Sequence, residues 1–358
     1  MKKLSMVISL FLLVLTLAAC AAKADDPIRE EPASEATATP EPTAAPTREA
    51  APTPEAAEPS EKTSIRIGAL KGPTAIGMVK IMEDASNGAS ANEYSFTLAG
   101  AADEISAGLA KGELDIAAVP CNLASVLYNK TQGQIKLAGI NTLGVLYIVE
   151  TGDQIQQVED LKGKTIYSTG LGTTPQYTLN YLLTSYGIDP EKDVTIEYKT
   201  EAAEVAAILS QTENAVAMLP QPYVTTVLMN NDKVRIALDI AKEWEAVSED
   251  NSSVVTGVVV VHSDFLEKNK EAFDAFLEEY AASVLFVNEN VEEASALVEK
   301  FDIFKAAVIK QAMPYCNITL IQGEAMKEKV EGYLKVLHGQ NPQSVGGELP
   351  SENFYYMK

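Results

Sequence analysis

Hydrophobic and polar positions fall along this chain in three regimes. Met6 to Leu15 is a short apolar run behind Lys2 and Lys3. From Ala21 to about Lys62 large apolar residues almost vanish, and Ala, Pro, Thr and Glu follow one another without period, as in Ala36-Thr37-Ala38-Thr39-Pro40-Glu41-Pro42-Thr43. From Thr63 onward, short β-branched segments take turns with segments of helical period. Ser64 to Leu70 reads as a strand; Lys71-Gly72-Pro73-Thr74 breaks it, and Pro73 is placed for the first turn of a helix running to about Asp84. A strand at Tyr94–Gly100, a helix at Asp103–Ala110, a strand at Leu114–Pro120 and a helix at Asn122–Asn129 follow. Ile135 to Ile148 is a strand pair or one strand with a bend. A second set repeats the order. Strands at Lys164–Ser168, Val194–Tyr198 and Ala215–Leu219 alternate with helices at Pro175–Tyr186 and Glu201–Leu209. Two such βαβαβ runs predict α/β lobes, each a sheet covered by helices on both faces. After an apolar strand at Ser253–Val261 the chain is mostly helical. Asp264–Val287 carries Phe265, Phe273, Phe276, Leu277, Tyr280, Val284 and Val287 as a core-facing stripe, and helices near Glu292–Glu299, Lys305–Ala312 and Gly323–Leu337 finish it.

The first two regimes say where the third operates. The apolar run is too short for a comfortable membrane span and ends in Leu17-Ala18-Ala19-Cys20. That tetrapeptide resembles the lipobox of bacterial lipoproteins. The resemblance implies a signal peptide over 1–20, an acylated Cys20 as the first mature residue, and a protein held on the extracytoplasmic face of the cell membrane. Residues 21–62 cannot bury enough apolar surface to offset the entropy of ordering, so they are expected to be a disordered, proline-stiffened, self-repelling spacer. The remainder, 63–358, is long enough for two domains with their own cores.

Charge and side-chain chemistry narrow the partners. The net charge of −22 argues against nucleic acid and against anionic lipid surfaces, although backbone N–H groups can still hold an anionic ligand locally. His262 and His338 have no metal-ligand spacing with a cysteine, so no metal or cofactor is expected. Beyond Cys20 only Cys121 and Cys316 remain; bridged or buried and free are both open readings.

Three segments carry a family resemblance. Gly112-Glu113-Leu114-Asp115-Ile116-Ala117-Ala118-Val119-Pro120, after a short helix and a second strand, resembles the solute-binding proteins of ABC importers, in particular the nitrate/sulfonate/taurine and thiamine-precursor branch. Val158 to Ile166, with Asp160-Leu161-Lys162-Gly163-Lys164, is similar to the opening of that family's second lobe. Gly257 to Asn269 is similar to its return crossover. The likeness runs from about Ser64 to Leu337. It implies a two-lobed periplasmic-binding-protein-like α/β fold with two crossover strands, near Val145–Glu150 and Val254–Val261, and a central cleft. Lobe 1 would then comprise 63–148 and 259–358, and lobe 2 would be 149–258. It further implies a monomeric, non-enzymatic binding protein that delivers a small organic molecule to an ABC permease and its ATPase. The alternatives are a same-fold enzyme of pyrimidine or menaquinone precursor metabolism, whose pyrimidine members carry a cysteine- or histidine-rich motif absent here, or an envelope sensor.

Candidate ligand contacts follow from the rule that open α/β sheets bind beyond the carboxyl ends of their strands. Lys71, Gly72, Pro73 and Thr74 offer a cation, close backbone approach and a hydroxyl. Ala101 and Ala102 expose backbone N–H groups, and Pro120, Cys121 and Asn122 supply an amide. Asn141 and Thr142 would reach the cleft from the bend. From the second lobe, Gly172, Thr173, Thr174, Pro175 and Gln176 precede a helix start that favours negative charge, with Thr173 and Thr174 read either as ligand donors or as an ordinary N-cap. Gln221, Pro222 and Tyr223 add an amide and a ring.

Overall fold

The structure, a computed structural model, describes residues 62–248 and 252–358. Cys20, the signal segment and residues 21–61 of the spacer lie outside the described residues. Lys62, expected as the last spacer residue, instead donates from Nζ to the carbonyls of Gly88 (2.9 Å) and Ser90 (2.6 Å).

The strands run, in chain order, β1 Ser64–Leu70, β2 Glu93–Ala99, β3 Ile116–Pro120, β4 Ile135–Thr142, β5 Leu146–Thr151, β6 Thr165–Ser168, β7 Thr195–Tyr198, β8 Val216–Pro220, β9 Val234–Asp239, β10 Gly257–His262 and β11 Ile318–Ile321. They form a six-stranded sheet ordered β11-β4-β10-β3-β1-β2 and a five-stranded sheet ordered β7-β6-β8-β5-β9. In the first, β1 is parallel to β2 and β3, and β10 runs antiparallel between β3 and β4. In the second, β6 is parallel to β7 and β8, and β5 is antiparallel to β8 and β9. The chain therefore passes between sheets twice, at Leu143–Val145 and again in the stretch from the end of the helix Ile240–Val247 to β10. β5 lies wholly in the second sheet and β10 wholly in the first, so each change of sheet comes a few residues earlier than the expected boundaries at 148 and 258.

Period-two alternation assigns each face its own core. In β10, Val259 and Val261 join one buried cluster with Ile65, Ile67, Phe273 and Phe276, while Val258 and Val260 join another with Leu137, Tyr333 and Phe354. In β5, Leu146 and Ile148 face Leu179, Leu182 and Leu183, and Tyr147 and Val149 face Val205, Leu209 and Val224. Burial on both faces is why these strands read as near-continuous apolar runs. The expected aromatic stripe of the C-terminal region is core: Phe273, Phe276 and Tyr280 are fully buried.

Elsewhere the pattern misled. The helix expected over Pro73–Asp84 is two, Pro73–Ile76 and Val79–Ser86. It breaks at Gly77, where an added Cβ would meet Ile318 at 3.1 Å and the Tyr280 hydroxyl at 3.3 Å. The long C-terminal helix is likewise two, Ser263–Lys268 and Lys270–Glu289, separated by Asn269 in a non-helical conformation. The helices Tyr223–Asn230 and Ile240–Val247, and the strands β9 and β11, were not legible. β9 and β11 are short sheet-edge strands with several half-buried residues, so neither carries an uninterrupted apolar run.

The two lobes also meet away from the crossings. Trp244 follows β9 of the second sheet, yet it is fully buried in the cluster that contains Met326, Val330 and Tyr333 from the helix Gly323–Gln340. Its ring lies 4.3 Å from that of Tyr181 and 5.3 Å from that of Tyr333, and its Nε1–H donates to Ser252 Oγ at 3.1 Å.

Candidate functional site

The carboxyl ends of strands from both sheets open on one cavity of about 430 Å³. Its first-lobe wall is the loop after β1 (Leu70–Thr74) and the loop after β2 (Gly100–Asp103). Its second-lobe wall is Thr169–Leu171 with Thr173–Pro175, Lys199, Thr200 and Tyr223. Thr142, Val145, Leu146 and Thr256 from the crossings close the bottom, with Pro120 and Pro220 beside them. Sequence reasoning thus reached the cavity with Lys71, Gly72, Pro73, Thr74, Ala101, Ala102, Pro120, Thr142, Thr173, Thr174, Pro175 and Tyr223. It missed Lys199, Thr200 and Thr256; Lys199 directly follows β7, and its position at a strand end was the available signal.

Seven expected contacts lie outside the cavity lining, each for a local reason. Cys121 is wholly buried in the core, and burial pushes its thiol pKa far up. Asn122 is also wholly buried: its Nδ2 donates to the carbonyls of Ser344 (2.9 Å) and Gly172 (3.3 Å), and its Oδ1 accepts from Thr174 Oγ1 (3.3 Å). It is a bridge between lobes. Gly172 therefore spends its carbonyl on Asn122 and its N–H on Gln176 Oε1 (2.7 Å), which folds Gln176 back onto its own loop. Gln221 Oε1 accepts from the Thr225 N–H (3.2 Å) and hydroxyl (2.8 Å), and the Pro222 carbonyl accepts from Thr226, so both serve the start of the following helix. Asn141 sits one residue behind the lining in a bulge where β4 pairs β10.

Of the two readings of Thr173 and Thr174, the N-cap needs correction, and both hydroxyls are engaged within the protein. Neither caps the helix Thr174–Ser185; Thr173 Oγ1 donates to the Gly170 carbonyl at 2.9 Å, and Thr174 Oγ1 donates to Asn122. Gly170 is required here, since its φ of +75° is left-handed and a Cβ would stand 2.7 Å from both Pro175 Cγ and Thr173 Oγ1. The start of this helix lacks a side-chain cap and carries no acid in its first turn; Pro175 has no N–H, so the N–H groups of Thr174 and Gln176 and the positive dipole end are what it offers an anion. The helix Ala102–Ala110 is also uncapped but carries Asp103 and Glu104, and the helix Ala202–Gln211 has its own acidic capping box. Of these three, Thr174–Ser185 offers the most favourable anion end.

Two ammonium groups join it. Lys71 Nζ donates to the Asp302 carbonyl at 3.1 Å and lies 3.6 Å from that carboxylate, which is fully exposed. Lys199 pairs with Glu197 at 2.9 Å and stands over the Tyr167 ring at 5.6 Å; the Glu197 pair raises its pKa, so it is cationic at neutral pH. Tyr223 packs edge-on to Phe304 at 4.9 Å, and burial raises its hydroxyl pKa. With Leu70, Leu123, Leu146 and Leu171 in the lining, the cavity combines an apolar body with a few polar ends. Among the described residues no group of His, Cys, Asp and Glu could hold a metal ion, no helix is long and apolar enough to cross a membrane, and Cys121 and Cys316 are both free and buried.

Comparison with known proteins places this geometry. Residues 89–311 match a family model described as the ABC transporter, phosphonate, periplasmic substrate-binding protein. No curated protein matches the chain. Among solved structures, an ABC transporter from Parabacteroides distasonis is 24% identical with a TM-score of 0.68, covering 83% of this chain and 100% of its own. The periplasmic aliphatic sulphonate binding protein SsuA from Escherichia coli is 16% identical with a TM-score of 0.65, covering 81% and 93%. The alkanesulfonate-binding protein SsuA from Xanthomonas axonopodis pv. citri bound to MOPS is 13% identical, again with a TM-score of 0.65, covering 84% and 100%. At these identities the likeness is one of fold.

Proposed function

Because this chain belongs to the periplasmic phosphonate substrate-binding proteins of ABC transporters, we propose that its interlobe cavity takes a small organic anion of the phosphonate or sulfonate class. The anionic end lies at the open start of the helix Thr174–Ser185, helped by Lys199 and Lys71, and the organic part lies against Tyr223 and the leucines. The observation that carries this reading is a cavity shared by both lobes whose lining holds an uncapped, acid-free helix start together with Lys71 and Lys199. The protein binds and releases this ligand unchanged and passes it to an ABC permease and its ATPase. Cys20 carries the lipid that holds it, as a monomer, at the outer face of the membrane, and residues 21–61 give it reach.

Closure of the lobes over the ligand completes the reading, since the cavity walls belong to different sheets. The test is titration calorimetry and thermal unfolding of the full chain in detergent with alkylphosphonates and alkanesulfonates of two to six carbons. Saturable binding is expected, with stabilisation approaching about 2.7 kcal/mol at a hundredfold excess over Kd. Hydrogen exchange should slow together in loops 100–103 and 169–175. Failure of every compound in both series to bind or stabilise the chain overturns the anionic-ligand assignment.

A further inference from the structure

The two crossings run side by side at the cavity floor: Thr256 N–H donates to the Thr142 carbonyl at 3.0 Å, and Gly257 pairs with Thr142 in the β4–β10 ladder. Thr142 and Thr256 both line the cavity, and neither hydroxyl has a hydrogen-bond partner, although Thr142 is only 1% exposed. Behind them the bulge in β4 holds Asn141 fully buried, with neither its amide nitrogen nor its oxygen paired. Gly257 presses on it so closely that a Cβ there would stand 2.6 Å from Asn141 Oδ1. The buried Tyr280 hydroxyl lies next to Asn141, close enough to interact with it but without a hydrogen bond of regular geometry. Buried polar groups are almost always paired, and bulges recur where a side chain is re-aimed toward a site. Hydroxyls and an amide both donate and accept, and among the described residues the charged groups of the lining come from the walls, not from the floor.

We propose that Thr142 and Thr256, backed by Asn141, form a second polar subsite that selects ligands bearing an uncharged hydrogen-bonding group, such as a hydroxyl or amide, at the end opposite the anion. This rests on the anionic-ligand reading above. It makes the crossing segments determinants of specificity as well as connections.

The test is calorimetry of the full chain with alkylphosphonates of two to six carbons, with and without a terminal hydroxyl, on the parent, Thr142→Val, Thr256→Val and the double variant. At the chain length that spans the cavity, the parent should bind the hydroxylated compound about tenfold more tightly than the plain one. The double variant should lose that preference, so that the hydroxylated and plain compounds of that length bind alike. Its ligand-free melting temperature should hold or rise, because valine matches threonine in shape and removes an orphaned hydroxyl. A parent without preference at every length, or a double variant that keeps it, overturns the subsite while leaving the anionic-ligand reading intact. Binding of none of the compounds overturns both.

Discussion

Replacing Asn122 by alanine separates what holds the first lobe together from what holds the two lobes against each other. The side chain makes three hydrogen bonds, one within the first lobe to the Ser344 carbonyl at 2.9 Å and two across the cleft, to Gly172 O and from Thr174 Oγ1, both at 3.3 Å. A net hydrogen bond is worth about 0.5–1.5 kcal/mol, and contacts just beyond the usual distance range belong at the low end. The two crossing bonds therefore favour the joined lobes by about 1 kcal/mol, a factor of about five in the closed-to-open ratio. Losing the Ser344 bond strands a buried carbonyl and costs about 1–3 kcal/mol of overall stability, which lowers the melting temperature by several degrees for a protein of this size. Asn122→Ala should thus lower the melting temperature and weaken binding of the best alkylphosphonate about fivefold. Thr174→Val, which keeps the shape and removes one crossing bond, should weaken binding about twofold. The two bonds share Asn122, so the double variant should fall short of the sum of the singles by about 0.5 kcal/mol in a calorimetric double-mutant cycle. An Asn122→Ala protein that melts lower yet binds with unchanged Kd would refute the bridge, as would strict additivity.

Four further outcomes are expected. Burial raises the Cys121 thiol well above its ordinary range and pushes Cys316 up to about 12; in a Cys20→Ser background neither should react with a thiol reagent at pH 8 before unfolding. The same shifts mean that the native state keeps protons the unfolded chain releases, so stability should fall as pH rises above about 9, and the slope should shrink in Cys121→Ala and Cys316→Ala, as measured by urea unfolding. Gly257→Ala should cost about 1–3 kcal/mol, because its Cβ would meet Asn141 at 2.6 Å and Thr74 at 2.8 Å; a melt unchanged from the parent would mean the floor yields freely. Cys20→Ser should move the protein out of the membrane fraction or leave its signal segment uncleaved, and retention with the same lipid modification would exclude the anchor.

The sheet-forming part of this fold was legible because strands buried on both faces write continuous apolar runs, as Val258–Val261 and Ile116–Val119 do. The edges were not: β9 and β11 carry half-buried or polar positions, and Gly77 and Asn269 divide helices whose apolar period runs on across the break. Loops at strand ends were located from order alone, which brought Lys71, Ala101, Thr173 and Tyr223 to the cavity. What order cannot supply is where a side chain turns. Asn122, Gln176 and Gln221 had the right chemistry in the right loops, but Asn122 is engaged by Ser344 and Thr174, distant in sequence, while Gln176 and Gln221 turn back onto Gly172 and Thr225 of their own segments. Thr256 was passed over for the opposite reason, since it sits in a segment whose apolar character advertised a strand.

Trp244 is the chain's single tryptophan, and its place between Tyr181 and Tyr333 gives the molecule an optical reporter that no labelling is needed to install. Its indole is enclosed by aromatic rings borne on helices of opposite lobes, so its emission comes from the seam alone, free of contributions from other indoles. A change in the angle between the lobes alters the packing and polarity around one known ring. Ligand binding, bridge variants and floor variants can therefore be followed on the same wavelength axis, and stopped-flow mixing would give the rate of the motion itself.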